Sequence, residues 1–430
     1  MLHWVMFVPN ILSLFDEEQK ARLLPACREL RMLGCYAQTE LGHGSNIRGL
    51  TTTATYNRSD DTFTINTPDL LGIKFWPGSI GVTANHAIVI ANLVIDGKSY
   101  GNHNFLVQMR EYDTHKLLPG VTTGDLGPKL GFNNMDNGFA IFRNVKIPRR
   151  DMAMRFSRVE RGGRYIVGGK GDDNDSAEKN AATEKISHIT MMQVRSHIIH
   201  EASKNLGIAA TIAVRYSAVR LQGYRKGLSG AENQILDYKT QQHRLMPLLA
   251  CAYCFQFTGR ASLERLKEIE KRIQTGGAVG VSKTEMQDLH CSSSALKAFA
   301  STITADGIED CRKCCGGNGY LVASGLPELL TTYLQNPTVE GDNAMLPQQV
   351  VKVLLRVEKD VRKANGQRDM TFLGELVWER VIGVFIVEFI RFDSIRFDSI
   401  RFDSIRFVIL TCPAPHLQAD FTPSATHPIL

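Results

Sequence analysis

The sequence predicts an α+β multi-domain protein, and three observations carry that prediction. Residues 50–150 alternate in the strand period and are broken by turn residues. Residues 187–366 step by threes and fours as amphipathic helices do, and a shorter helix-patterned stretch precedes both. A chain of 430 residues has length for roughly two or three domains and a sizeable core.

In chain order, residues 11–32 read as one helix, with Asp16, Glu17 and Glu18 early and Lys20, Arg22 and Arg28 later, which complements the helix dipole. Thr62 to Ile65 alternate as a strand. His86–Ile95 and Asn104–Met109 are apolar strands separated by a turn region holding Asp96-Gly97 and Tyr100-Gly101. Asn137-Gly138 precedes a further strand, Phe139–Ile147, that stops at Pro148. With Pro119-Gly120, this zone reads as a small antiparallel barrel or sandwich. Residues 164–185, with Gly168-Gly169-Lys170-Gly171 and then Asp172, Asp173 and Asp175, read as a surface loop.

The helical zone follows. Val194, Ile198, Ala202, Leu206, Ala209, Ala213 and Tyr216 mark one face of a first helix. Ile235, Tyr238, Leu245, Leu249 and Ala252 mark a second, with Pro247 as a kink. Leu296, Phe299 and Ile303 mark a third, and Val350, Val353, Val357 and Val361 a fourth, closed by Asn365-Gly366. Long amphipathic helices joined by short links predict a four-helix bundle. From Ile390 the pentapeptide Ile-Arg-Phe-Asp-Ser repeats without variation. Its period suits neither helix nor strand packing, so it reads as a translated DNA repeat or a shifted frame, and the Pro- and Thr-rich end after it as disordered.

Composition narrows the function. The formal charge of +6 would suit an anionic ligand, but the basic residues form no long run, so nucleic acid is not the expected partner. Among nine cysteines, Cys251 and Cys254 form one group and Cys311, Cys314 and Cys315 another. Both lie in helical segments without a histidine at zinc-ligand spacing, so reduced thiols and no metal are expected. Met1–Phe15 lacks the basic start and cleavage site of a secretory signal. The apolar run Val381–Ile390 is too short to span a bilayer.

Three clusters have chemical potential. Tyr36-Ala37-Gln38-Thr39-Glu40-Leu41-Gly42-His43-Gly44-Ser45-Asn46 is a polar glycine loop whose backbone N–H groups can approach a ligand, although a plain turn has the same composition. Lys74-Phe75-Trp76-Pro77-Gly78 can wall a flat ring or form a packed barrel corner. Cys314-Cys315-Gly316-Gly317-Asn318-Gly319-Tyr320 ends a helix. Thr338-Val339-Glu340-Gly341-Asp342-Asn343 then places a carboxylate just before the next one, where an acidic residue also complements the helix N-terminus.

Taken in this order, the clusters resemble the acyl-CoA oxidase branch of the acyl-CoA dehydrogenase-like flavoproteins. Tyr36 to Leu50 is similar to that family's Tyr-Ala-Gln-Thr-Glu-x-Gly-His-Gly signature. The likeness continues through Ile73–Gly78, Asn85-His86-Ala87, Gly127-Pro128-Lys129, Met135–Gly138, Arg215–Arg220, Gln241-Gln242 and Gly307-Ile308-Glu309, covering about residues 1 to 358. The resemblance implies an acyl-CoA dehydrogenase-like fold. Its parts would be a remnant of an N-terminal helical domain (1–32), a central antiparallel β-barrel domain for FAD and acyl-CoA (33–150) and a linker with the acidic insertion (151–186). A bundle bearing the catalytic residue (187–366) and an aberrant tail (367–430) would complete the chain. The implied activity is FAD-dependent desaturation of fatty acyl-CoA to the trans-2-enoyl-CoA, with O2 reduced to hydrogen peroxide.

The resemblance also assigns roles. Glu340 matches the base; Thr39 and Gly78 match FAD-binding positions beside the flavin. Arg220 and Gln222 match a helix that reaches the FAD of a partner subunit in a homodimer, and Gly316 and Gly317 match the turn that accommodates FAD from the other protomer. Peroxisomal localisation is implied, though the sequence ends Pro428-Ile429-Leu430 instead of in a Ser-Lys-Leu-type signal. The family's outer helical domains at both ends are not matched, Val339 replaces the usual aromatic, and Pro347 falls in the first turns of the last bundle helix. Two alternatives remain at this stage: a dehydrogenase that passes electrons to a carrier flavoprotein, and a catalytically inactive copy that pairs with an intact oxidase.

Overall fold

Two short helices, not one long one, open the chain in the computed structural model, which describes residues 2–167, 176–224, 232–276 and 281–365. All of these fall in one compact unit. The Gly168–Asp175 part of the acidic insertion, the Gly366 cap and the 367–430 tail with its repeat lie outside the described residues. After a π-helical turn at His3–Phe7, α1 spans Val8–Leu14 and α2 spans Glu17–Arg28. Asp16 is extended between them. Its carboxylate accepts from the Gln19 N–H at 2.8 Å while the Gln19 side chain accepts from the Asp16 N–H at 3.0 Å. This is a capping box, so the acidic run that reads as the early part of one helix starts a second. Asp16→Ala should therefore cost about 1 kcal/mol, read as a lower urea midpoint with unchanged slope.

The β region is built on β5 (His86–Ile95), which pairs antiparallel with β6 (Lys98–Gln108) along one edge. Its other edge carries β1 (Gly34–Ala37) and then β2 (Thr53–Asn57), both parallel to it. β3 (Thr62–Asn66) extends the sheet from β2, and β9 (Val145–Pro148) closes it, both antiparallel. The sheet is thus mixed. A second sheet holds β4 (Lys74–Phe75), β8 (Gly138–Phe142) and β7 (Val121–Asp125). The stretch Phe139–Ile147 is two strands in two sheets, because Asn144 turns the chain with φ of 53°.

One core joins the two sheets through Phe63, Ile65, Val89, Leu93, Phe105 and Phe142. Ile88, Ile90 and Leu106 point the other way, into a second core with Phe7, Ile11, Leu23, Met192, Leu266 and Leu289. β5 is buried on both faces, which explains its continuous apolar run. That second core also fixes the sheet against the helices.

The linker region carries a hairpin of β10 (Ser157–Val159) and β11 (Tyr165–Val167). Helix α3 (Ser176–Val219) begins ahead of residue 187, where the periodicity had placed it. A hairpin of β12 (Leu221–Tyr224) and β13 (Glu232–Gln234) leads to α4 (Lys239–Gly276), which continues through Pro247. Helices α5 (Lys283–Cys314), α6 (Leu326–Tyr333) and α7 (Leu346–Asn365) follow, with α3, α4, α5 and α7 as the long members. Pro347 is the second residue of α7, a position where its missing N–H is an orphan anyway. Among the described residues, no helix is long and apolar enough to cross a membrane.

Candidate active site

Glu340 stands in the turn between α6 and α7 with φ of 57°, a left-handed conformation that costs a residue with a side chain. Arg195 of α3 donates from Nε to the Glu340 carbonyl at 2.9 Å and from Nη1 to Ser294 Oγ at 3.0 Å. The next residue, Gly341, has φ of 103°, and a Cβ there would meet Leu346 at 2.7 Å. The Glu340 carboxyl itself accepts no hydrogen bond from any described residue. Burial raises its pKa, against the lowering influence of Arg195 and Lys297. A half-buried carboxyl held by its backbone and free at its oxygens is arranged to accept a proton.

The sheet faces it through Tyr36. Burial raises the Tyr36 phenol pKa and the Glu340 charge adds to that rise, while the hydroxyl donates to Gln38 Oε1 at 2.8 Å. Beyond Gln38 comes Thr39, half-buried, whose carbonyl accepts from the Phe75 N–H at 2.9 Å. Its hydroxyl has no hydrogen-bond partner among the described residues.

The loop is anchored by an ion pair with both side chains fully buried, Lys74 Nζ to Glu40 Oε1 at 3.0 Å. Lys74 also donates to the carbonyls of Gln38 (3.1 Å) and Ile90 (2.7 Å). Glu40 accepts from the Thr51 and Thr52 N–H groups, each at 2.9 Å. Burial alone would raise the Glu40 pKa. Lys74 and the donors from Thr52 and Thr51 outweigh it and hold the carboxyl at about 2.

Trp76 projects beside this loop, 53% exposed and with φ of 81°. Its corner is pinned by the 136–138 stretch. Trp76 N donates to Gly138 O at 3.0 Å, Asn137 Nδ2 donates to Trp76 O at 2.9 Å, and Ser79 N donates to Asp136 O at 3.1 Å. Gly78 is buried, with Leu2 and Met135 on the side where a side chain would stand. Gly131 packs on the backbone of Thr331 and Thr332 in α6, so the loop after β7 reaches the helix that leads to Glu340.

The remaining residues singled out from the sequence gather elsewhere. Arg220 and Gln222, both exposed, hydrogen-bond each other at 3.2 Å at the end of α3. Gly316 and Gly317 are exposed just past α5. The two places are adjacent: Asn318 donates to Tyr216 Oη at 2.8 Å, and Gln241 donates to both Ser217 Oγ and Cys314 O at 2.9 Å. At about 1.5 Å per residue, roughly 37 Å of helix separates Arg195 from Arg220. Within one chain, the two groups of residues cannot surround the same part of a ligand.

Residues 188–355 match the family described as the acyl-CoA oxidase C-alpha1 domain. Peroxisomal acyl-coenzyme A oxidase 1 of Arabidopsis thaliana is 44% identical over 359 residues, covering 83% of this chain and 51% of that protein. The Rattus norvegicus protein of the same name is 40% identical over 381 residues, covering 88% and 55% respectively. A solved structure of acyl-CoA oxidase-2 in Caenorhabditis elegans, bound with FAD, ascaroside-CoA and ATP, aligns with a TM-score of 0.78 at 37% identity, over 86% of this chain and 53% of that one. This chain belongs to the acyl-CoA oxidase family. It spans about half the length of the curated relatives it matches.

Sequence reasoning missed the groups that hold this candidate site in shape: Arg195, Lys297 and the pairing of Glu40 with Lys74. A signal for Lys297 existed. Ser294, Lys297, Ser301 and Thr304 repeat at helical spacing inside α5 and are buried with it, which is unusual for lysine. Among the described residues no group of three His, Cys, Asp or Glu could hold a metal, and burial pushes the Cys311 thiol up to about 12.

Proposed function

We propose that this chain catalyses acyl-CoA oxidase chemistry, the FAD-dependent α,β-desaturation of a fatty acyl-CoA to its trans-2-enoyl-CoA with O2 as electron acceptor. The observation that carries the proposal is Glu340, a carboxyl without hydrogen-bond partners, its pKa raised by burial, placed where the bundle meets the signature loop of the sheet. The residues present fit FAD. The unpartnered Thr39 hydroxyl and the pinned, exposed Trp76 ring offer a polar contact and a flat wall beside the loop. Gly78 is closed on its α-carbon side, so its contact would be through backbone alone.

The chain's own part of the reaction is proton removal. A thioester α-proton is weakly acidic, and an ordinary carboxylate is a poor base for it. Burial makes Glu340 a stronger base and narrows that gap, while Arg195 and Lys297 keep an ionised form accessible. FAD, when bound, supplies acceptance of the hydride from the neighbouring carbon and return of the electrons to O2. Arg220, Gln222, Gly316 and Gly317, a helix length from Glu340, suit contacts with the FAD of a second subunit, which supports a homodimer with shared cofactor sites. The curated relatives are named peroxisomal, and we assign the same compartment here.

The test is to incubate purified chain with FAD and palmitoyl-CoA. Bound flavin, its bleaching under anaerobic conditions and peroxide release in air are the expected results. A folded, colourless preparation that releases no peroxide would reject the reading. Anaerobic bleaching with negligible reaction with O2 would move the chain to the dehydrogenase branch.

A further inference from the structure

Lys297 has an unusual set of partners for a lysine. Its side chain is fully buried in the middle of α5. Its ammonium donates to Gly341 O at 2.7 Å, to Asn343 Oδ1 at 2.9 Å and to Pro337 O at 3.4 Å. None of these acceptors is a carboxylate. All three lie in the turn that carries Glu340. An ammonium has three donors, and here each is directed at that one turn.

The turn is gripped a second time from the same helix. The two N–H groups of the Asn343 amide are shared among Ala298 O at 3.0 Å, Ser301 Oγ at 2.9 Å and Thr302 Oγ1 at 2.8 Å. Asn343 thus accepts from Lys297 while donating one turn further along α5. Arg195 holds the Glu340 carbonyl from α3. The positive φ at Glu340 is a conformation that the chain adopts only when its surroundings over-determine it, and these bonds supply that constraint. Burying an ammonium is expensive and would be disfavoured if the only return were stability. A hydrophobic residue would pack α5 equally well, but it could not hold the carbonyls on both sides of Glu340.

We propose that Lys297 is a positioning residue for the reaction: its buried ammonium clamps the 337–343 turn to α5 and so keeps the Glu340 carboxyl presented at the cleft. This rests on the oxidase reading, and the charge has a second consequence within it. Burial first, then Arg195, lowers the Lys297 pKa to about 8, while Glu340 and Asp342 raise it. Near neutral pH the ammonium is charged and favours the ionised base. The ionisable groups facing Glu340 are Arg195 from α3, Lys297 from α5 and Tyr36 from β1, with Asp342 in its own turn facing Lys297.

The test compares Lys297→Met with Asn343→Ala in the full chain loaded with FAD. Hydrogen–deuterium exchange over residues 337–345 should accelerate in both variants, with and without cofactor, while α4 remains protected as in the parent. In Lys297→Met, flavin reduction at saturating palmitoyl-CoA should fall roughly 100-fold, with KM and flavin content unchanged, because misplacing a reacting group by about 1 Å has that effect. The acid limb of its pH profile should move to higher pH, since a cation beside the base is gone. Asn343→Ala keeps the cation, so its rate should fall without that movement.

Parent-like exchange and rate in Lys297→Met would overturn the proposal. If that variant does not fold, Asn343→Ala decides: accelerated exchange with a lower rate supports the clamp, and unchanged exchange rejects it. Accelerated exchange in both variants, in a parent that leaves bound flavin oxidised, would reject the oxidase reading alone and retain the clamp.

Discussion

Glu340→Gln should leave FAD bound and lower the rate of flavin reduction by acyl-CoA by roughly 10²–10⁴-fold, the range a positioned general base supplies. The amide keeps the shape of the side chain and cannot take the proton. It should also keep the fold, because the carboxyl has no hydrogen-bond partner among the described residues and the turn is held through backbone carbonyls. The stability effect has a definite sign. Burial raises the folded pKa of Glu340 above its ordinary value, so the unfolded chain gives up this proton more readily. The folded state therefore loses stability as pH rises from the unfolded pKa through the folded one. Gln removes that penalty. The variant should melt at or above the parent at neutral pH, and the difference should vanish below about pH 4, where both states hold the proton. A thermal scan at both pH values, beside anaerobic stopped-flow reduction, separates a lost base from a damaged fold. Parent-like reduction would remove Glu340 from the mechanism.

How much of this site was legible follows from the distance over which each feature is encoded. The helical zone showed itself through periodicity, a local property, and the turn at Asp96-Gly97 through its residues. The break between α1 and α2 was encoded too, as Asp16 with Gln19 three residues on, but the acidic run around it read equally well as the early part of one helix. The parallel pairing of β1 with β5 was not encoded locally. Gly34 meets His86 across a long separation, and nothing in the alternation of either strand states the direction of its partner. The site divides in the same way. Glu340 was reached through family resemblance, since an acidic residue ahead of a helix has a bland explanation. Arg195, which braces it, lies on another helix, and no local pattern connects the two. Lys297 was obscured because the apolar face assigned from Leu296, Phe299 and Ile303 is only part of what α5 buries. A helix enclosed on most sides has no single stripe for its polar members to interrupt.

Lys74→Met should cause the largest loss of stability of any single change considered, about 3–5 kcal/mol, because it leaves the Glu40 carboxylate buried without its counter-ion. The pair lies behind the signature loop. Lys74 joins that loop to β5 through the Gln38 and Ile90 carbonyls, and Glu40 joins it to β2 through the Thr51 and Thr52 N–H groups. Thr39 lies between Gln38 and Glu40, so loosening the pair should weaken FAD binding as well as the fold. The acid dependence follows from the Glu40 pKa of about 2, below the ordinary carboxylate value. A depressed carboxylate contributes stability that is present above the unfolded pKa and is lost as pH falls through about 2. In Lys74→Met the lowering influence of the ammonium is gone, and only the Thr51 and Thr52 donors still oppose the upward push of burial, so the Glu40 pKa is less depressed than in the parent. That variant should therefore lose less on acidification than the parent, and the gap between them should narrow towards pH 3. Glu40→Gln with Lys74→Met together should recover part of the loss, because no uncompensated charge remains. Urea melts of the single and double variants at pH 7 and pH 3 measure each of these terms. A double variant as unstable as Lys74→Met alone would mean that the carboxylate finds other compensation and that the pair does not hold the loop.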